Sequence, residues 1–521
     1  MENERWGIAP SIAWGLGTDT RFTLSYMHLD QENTPDYGIP WVPRTSVNPQ
    51  LPPGIPPVSY DRWYGNPLRD YEEIKTDLVT GIFEHDFSDT LKLRSSVRYG
   101  RNDRDSVTTA PRFVNGTVPP GSPAGSTFPT RTLNQQFQSR DQIDEALFGQ
   151  TDLRYDFSTG SVEHNLVGGF EVGREKSRNY GRAVYDPVTG LPVVGSPQVD
   201  IFTGAVITPY TGVIRRNGVI TQTISDTAAL YLFDTAKINK HWEISGGLRW
   251  DNYDVEYASR AATGVVTPLQ RDDSMLSYRG AITYKPVEEG SIYLGYGTSF
   301  NPSTENLTYI APPTGANNTL SLFQADPEEN ETIELGAKWE FFDEKLLLTG
   351  ALFRTEKTNA RTTDPADPTI VTLTGEQVVD GFEVGFTGNI TDNWRVIGGY
   401  TYLESEVKKS SVPAEVGSDV SNTPENSFSL WTVYDLPKGV SVGIGTQYVG
   451  SRYNNNNVTT RQEAPDFTVV NAMASWAMNE NVTFQLNLDN ILDEDYIDRV
   501  GGGHFVPGQG RSVLLSATMN F

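Results

Sequence analysis

The spacing of its connections restricts what this chain can fold into more than any other feature. Along 521 residues the sequence repeatedly enters segments in which every second residue is apolar, and links them by connections that are alternately short and long. Nineteen such segments begin near Trp6, Arg21, Glu73, Leu91, Ile143, Val162, Ala229, Trp242, Met275, Ser291, Thr332, Lys345, Gln377, Asn393, Asn426, Val440, Phe467, Asn481 and Ser512. Short links fall at Ser88-Asp89-Thr90, Ser158-Thr159-Gly160, Asn239-Lys240-His241, Asp343-Glu344, Thr391-Asp392 and Met478-Asn479-Glu480. Between them lie long stretches such as those from about Asp30 to Tyr71, Asn102 to Gln142 and Arg178 to Asp226, rich in Pro, Gly, Asn, Ser and Thr. Strict alternation places every short turn at one end of a sheet and every long loop at the other, the asymmetry of a membrane-spanning antiparallel barrel.

The segments carry the matching pattern. Trp242, Ile244, Gly246, Leu248 and Trp250 alternate with Glu243, Ser245, Gly247, Arg249 and Asp251. Leu91, Leu93, Val97 and Tyr99 alternate with Lys92, Arg94 and Arg98, and Val482, Phe484, Leu486 and Leu488 with Thr483, Gln485, Asn487 and Asp489. Large apolar groups on one face and charge on the other suit a wall between lipid and water, or one sheet of a sandwich. The connections favour the wall. Hydrophobic residues are only 37% of the chain and mean hydropathy is -0.42. No stretch approaches the roughly 20 apolar residues of a membrane helix. A barrel escapes that requirement, because only alternate residues meet lipid.

The count has a consequence. The first link is short and the last segment follows a long one, so both outer segments run toward the short-turn end. That requires an odd number, whereas closed single-chain bacterial barrels have even numbers. Three further strands before Trp6 would give 22, the size of plugged outer-membrane transporters. Met1-Glu2-Asn3-Glu4-Arg5-Trp6 has no export leader, which points to a truncated N-terminus. The final strand, Val513, Leu515, Ala517, Met519 and Phe521, ends on an aromatic.

Net charge is -25, which argues against a nucleic-acid partner, since phosphate backbones need a basic surface. Cysteine is absent, so no nucleophilic thiol or disulfide is available. The histidines (His28, His85, His164, His241 and His504) are scattered and not spaced as metal ligands. Gly501-Gly502-Gly503 and Gly508-Gln509-Gly510 lack the strand-to-helix setting of a phosphate loop, and Asp493-Glu494-Asp495 reads as a solvated acidic cluster. No catalytic set emerges, and the chain is not expected to be an enzyme.

Several segments resemble the barrel of TonB-dependent outer-membrane ferric-siderophore receptors, in the branch that includes catecholate receptors. They are Arg5-Trp6-Gly7-Ile8-Ala9-Pro10-Ser11 and Pro35-Asp36-Tyr37-Gly38-Ile39-Pro40-Trp41, then Pro327-Glu328 with Glu334-Leu335-Gly336-Ala337-Lys338. Leu352-Phe353-Arg354-Thr355-Glu356-Lys357, Asn422-Thr423-Pro424-Glu425-Asn426 and Asn487-Leu488-Asp489-Asn490-Ile491-Leu492-Asp493 through Pro507-Gly508-Gln509-Gly510-Arg511-Ser512 follow. The resemblance implies an all-β fold, a transmembrane antiparallel β-barrel with about 19 strands of a 22-stranded whole, filling residues 1–521 as one domain. It also implies a plug and a TonB-binding segment, neither of which is read in these residues.

The implied activity is import of a ferric siderophore across the outer membrane of a Gram-negative bacterium. Energy would come from the TonB–ExbB–ExbD complex through the N-terminal region. Iron is expected only inside the bound chelate, with no resident cofactor and no metal site. Outer-membrane lipid and lipopolysaccharide are the surroundings, and the chain is expected to be a monomer. A bulky, anionic, aromatic chelate calls for arginine and aromatic side chains. Two loop clusters supply them: Tyr37, Trp41, Arg44, Tyr60, Arg62, Trp63 and Tyr64; and Arg452, Tyr453 and Arg461 with His504 and Phe505. The same aromatics also suit the anchoring of one loop to another. Arg94, Arg98 and Arg249 are expected to face a plug. A passive pore, or a receptor of this kind for haem, cobalamin or a glycan, is the alternative.

Overall fold

A computed structural model describes residues 2–302, 304–305, 323–363 and 371–520. Among them one antiparallel sheet holds 22 strand segments. The first wall strand is in two pieces, Asn3–Ile8 and Ser11–Trp14, and the short strands Gln198–Asp200 and Val206–Thr208 belong to a loop. Setting aside the break and the two loop strands leaves nineteen strands in the wall, as the alternation predicts. They are β1 (the two pieces above), β2 (Thr20–Asn33), β3 (Tyr71–Asp86), β4 (Leu91–Asn115), β5 (Pro129–Thr159), β6 (Val162–Tyr185) and β7 (Val213–Lys237). Next come β8 (Trp242–Arg260), β9 (Val266–Val287), β10 (Gly290–Asn301), β11 (Glu328–Phe341), β12 (Leu346–Thr363) and β13 (Val371–Thr391). The last are β14 (Trp394–Lys409), β15 (Asn426–Leu436), β16 (Val440–Val449), β17 (Phe467–Ala477), β18 (Val482–Asp489) and β19 (Ser512–Met519).

Each wall strand pairs with its neighbour in sequence. The break in β1 falls at Ala9-Pro10, where proline has no N–H to give the ladder. Register continues through it, with Ile8 opposite His28 and Ser11 opposite Ser25. The short turns use left-handed backbone where the sequence allows it, at Gly160, at Lys438-Gly439 and, unusually for such side chains, at Phe342-Asp343-Glu344.

Exposure separates the two faces. Ile244 lies opposite Ile282, Ile282 opposite Leu294, Leu294 opposite Leu335 and Leu335 opposite Leu352. All five side chains are exposed, from 46% to 59% of their area. Leaving each against water rather than burying it forfeits about 1.5–3 kcal/mol, so a continuous belt of this kind is a lipid-facing surface. The opposite face is ionic. Arg249 meets Asp251 at 2.8 Å and Glu171 at 3.2 Å, and Tyr293 donates to Glu334 at 2.6 Å. Arg98 donates to Thr80 on this same face. In β19, Val513, Leu515 and Met519 are exposed as expected, and Leu514 as well; Phe521 lies outside the described residues.

Strand length differs from the sequence reading. β5 begins at Pro129 and not near Ile143, and β7 at Val213 and not near Ala229. Much of the predicted loops from Asn102 to Gln142 and from Arg178 to Asp226 is therefore paired strand. β5 has 31 residues, against the roughly 9–11 that cross a bilayer. Beyond the membrane both faces are wet, so the ladder persists while the alternation that reveals it fades. The link between β8 and β9 likewise shrinks to a tight turn at 261–265.

Among the described residues no ladder joins β1 to β19. The sheet nevertheless curls until its first and last long loops touch. Ile39–Pro40 pairs with His504–Pro507, which also pairs with Ile497–Val500.

Candidate ligand site in the long loops

The site is assembled from connections far apart in sequence. The first loop, 34–70, leaves β2 and runs beneath the last loop, with Phe505 opposite Ile39 and the Trp41 N–H donating to Gly503 O at 3.2 Å. It then wraps the tip of the β4–β5 hairpin, where Val47 N–H donates to Thr127 O at 3.0 Å and Asn48 Nδ2 to Pro129 O at 2.7 Å. It also meets the loop between β16 and β17. Gln462 Nε2 donates to Val42 O at 2.9 Å, and Arg44 Nη1 to Val458 O at 3.0 Å and Arg461 O at 3.1 Å. These bonds satisfy loop backbone that burial would otherwise leave unpaired.

Three predicted ligand residues lie inside the apolar core of this loop cluster. Trp41, Tyr64 and Phe505 are 5%, 2% and 0% exposed, packed with Ile39, Val42 and Leu133. The Trp41 and Tyr60 rings lie 4.6 Å and 5.7 Å from Phe505. Tyr64 Oη donates to Ile201 O at 2.7 Å, and burial pushes its phenol well above the ordinary range. Tyr60 is half-buried and shifted the same way by burial.

His504 is buried and sits 2.6 Å from Pro111 O through Nε2. A carbonyl only accepts, so Nε2 carries the proton. Burial depresses its pKa to about 4, with Arg112 adding to the effect and the Pro111 bond opposing it. The Tyr37 ring meets it edge-on at 4.9 Å. Arg452 is 5% exposed, with Nη2 donating to Ile497 O and Asp498 O, each at 2.8 Å. Its Nη1 is buried without a hydrogen-bond partner among the described residues, and desolvation lowers its pKa.

The remaining predicted residues are more open. Arg44, Tyr453 and Arg461 line one cleft of about 470 Å³. Arg461 lies 3.6 Å over the Tyr453 ring and 3.1 Å from Asp419. Arg62 donates to Thr203 O and Trp63 Nε1 to Pro35 O, each at 3.1 Å. Tyr37, 37% exposed, lines a second cleft of about 640 Å³ with Arg104, Arg140 and Arg499. Sequence reading passed over these arginines. Arg104 and Arg140 fall where alternation has faded, and only the register of β4 with β5 brings them together.

No group of three or more side chains able to hold a metal occurs among the described residues. The acidic run near the C-terminus is instead tied down, Asp493 to Arg511 at 3.0 Å.

The comparisons with known proteins agree with this architecture. The family model described as TonB dependent receptor-like, beta-barrel, matches residues 11–491. The chain is 34% identical over 555 residues to the catecholate siderophore receptor Fiu of Escherichia coli K12, spanning the whole chain and 70% of that receptor. It superposes on the closed-form crystal structure of that ferric-catecholate import receptor with a TM-score of 0.84 at 33% identity, over the whole chain and 75% of the other. It superposes on the siderophore receptor PiuA of Acinetobacter baumannii with a TM-score of 0.85 at 29% identity, over 99% of this chain and 74% of that one. The chain belongs to the TonB-dependent siderophore receptors, outer-membrane β-barrel transporters of Gram-negative bacteria rather than enzymes.

Proposed function

We propose that this chain is the barrel of a receptor that imports a ferric siderophore of the catecholate type into the periplasm with TonB-coupled energy. The observation that carries the reading is the knitted loop cluster over the sheet's long-loop end, with arginine and tyrosine side chains at its clefts. Arg44, Tyr453 and Arg461 in one cleft and Tyr37 in the other are the groups we assign to cargo contact. Trp41, Tyr60, Tyr64, His504 and Phe505 hold the loops in position. Arg62, Trp63 and Arg452 act through the loop backbone they bind. Iron enters only as part of the cargo, and no resident cofactor is required. Coupling runs to TonB–ExbB–ExbD through the plug region that the family implies, and the receptor acts as a monomer in lipid and lipopolysaccharide.

The test is growth under iron starvation of a strain stripped of its own catecholate receptors and complemented with the receptor that carries this chain. Ferric catecholate should restore growth, and deletion of TonB should abolish it. Growth that persists without TonB would identify a passive pore. Growth restored by haem or cobalamin but not by catecholate would reassign the cargo.

A further inference from the structure

The outward face of β6 changes character over a few residues. Phe170 and Val172 are 46% and 52% exposed and belong to the lipid-facing belt. The same alternation then places Arg174, Lys176 and Arg178 on that face, because β6 pairs with β5 from Val162 to Asn179 without a register shift. Leu147, 50% exposed, lies directly opposite Arg174 and marks the upper edge of the belt. Glu171 points the other way, into the interior of the curled sheet, where it meets Arg249 at 3.2 Å. The wall therefore stands between the three cations and any cargo in the interior, and import gives them no role.

On a chain of net charge -25 this basic stripe is a local exception, and its charges are incompletely matched. Arg174 has Asp226 at 2.6 Å, but both side chains are exposed, where such a pair is worth little. Lys176 is 3.8 Å from Glu145, a carboxylate it shares with Arg101 at 3.4 Å. Arg178 has no ion pair among the described residues, and its guanidinium donates to the neutral Gln222 Oε1 at 2.7 Å and 3.2 Å. The next strands carry the opposite sign at the same level. Asp254 of β8 lies opposite Asp226, and Asp272 of β9 opposite Asp254. An anion lying against the wall is thus drawn to β6 and kept off β8 and β9.

Successive outward residues are about 7 Å apart along a strand, or about 5 Å apart in height at a tilt of roughly 45°. Arg174 to Arg178 therefore climbs about 10 Å from the edge of the apolar belt, through the layer of lipid headgroups. Arginine offers a phosphate a planar, two-pronged donor set. An outer-leaflet lipid that joins phosphates to several acyl chains matches both halves of this surface.

We propose that the outward face of β5 and β6 binds the phosphorylated head of a lipopolysaccharide molecule. Arg174, Lys176 and Arg178 hold its phosphates, and Phe170, Val172 and Leu147 lie against its acyl chains.

Titration of the delipidated full receptor in detergent with bis-phosphorylated lipid A, read by native mass spectrometry, tests the assignment. The parent should bind it about 10-fold or more tighter than the same lipid stripped of both phosphates. Arg174→Gln, Lys176→Gln and Arg178→Gln together should weaken it about 100-fold, at about 5-fold per cation beside an anionic surface. Binding of the dephosphorylated lipid should not change. Arg354→Gln, on the outward face of β12 and paired there with Glu356 at 3.0 Å, should bind as the parent does. Should the triple variant fail to assemble, Arg178→Gln alone, which breaks no ion pair, should still lose about 5-fold. Equal affinity of the parent for the two lipids, or parent-like affinity in the stripe variants, would overturn the site. Excess inorganic phosphate should leave the lipid bound; full displacement would overturn the lipid assignment in favour of a soluble anion.

Discussion

At the scale of single residues, His504 shows how a loop side chain becomes structural. Its ring is enclosed among the first loop, the last loop and the β4–β5 hairpin, and donates to Pro111 O. Its folded pKa of about 4 lies below the roughly 6.5 of a free histidine. The unfolded loop cluster therefore binds a proton first as pH falls. Stability is full above about 6.5, declines through the interval, and levels off below about 4, a loss on the order of 3 kcal/mol. Hydrogen exchange of the amides at 39–42 and 497–507 should accelerate between pH 7 and pH 4.5 beyond the intrinsic trend. His504→Gln, which cannot titrate, should remove the excess. Equal pH dependence in both proteins would refute the role.

At the scale of elements, one strand serves two environments. The middle of the wall is a lipid-facing belt, while the outer parts of β4 to β9 stand in water on both faces. This difference predicts where charge is tolerated. Leu294, 49% exposed between Ile282 and Leu335, should accept no cation. Leu294→Arg should cost about 2–4 kcal/mol in denaturant titrations of the bilayer-inserted protein, the cost of arginine near the midplane. A change below about 0.5 kcal/mol would place Leu294 outside the hydrocarbon. The long hairpins also supply the platform for the loops, since β4 and β5 reach the first loop only because their ladder continues far beyond the membrane.

At the scale of the whole molecule, the first loop is the strap that holds the cluster together. Thr45 Oγ1 and Thr127 Oγ1 are 3.1 Å apart at the hairpin tip, and the chain has no cysteine of its own. Thr45→Cys with Thr127→Cys should therefore form a single crosslink on oxidation. We expect the crosslinked receptor to bind its cargo at the surface and to transport it several-fold more slowly than after reduction. Transport that is indifferent to reduction would show that the strap keeps its seat throughout.

The sequence by itself determined the wall. Period-two segments separated by alternately short and long links determine sheet order, sidedness and the number of strands, because lipid tolerates only apolar side chains and each link must span from one strand to the next. It also named the loops that meet over the long-loop end of the sheet. The ends of β4, β5 and β7 were illegible, since pairing in water needs no alternation and leaves no period to read. The division of labour among the loop aromatics was decided by tertiary structure alone. Trp41 and Phe505 became core while Tyr37 kept an open face, because burial depends on which loops meet, and those meetings join residues more than four hundred positions apart. Arg140 belongs to the same class. Only the register of three strands and the fold of two loops set it beside Arg104 and Tyr37 at one cleft, and no local pattern records such a long-range meeting.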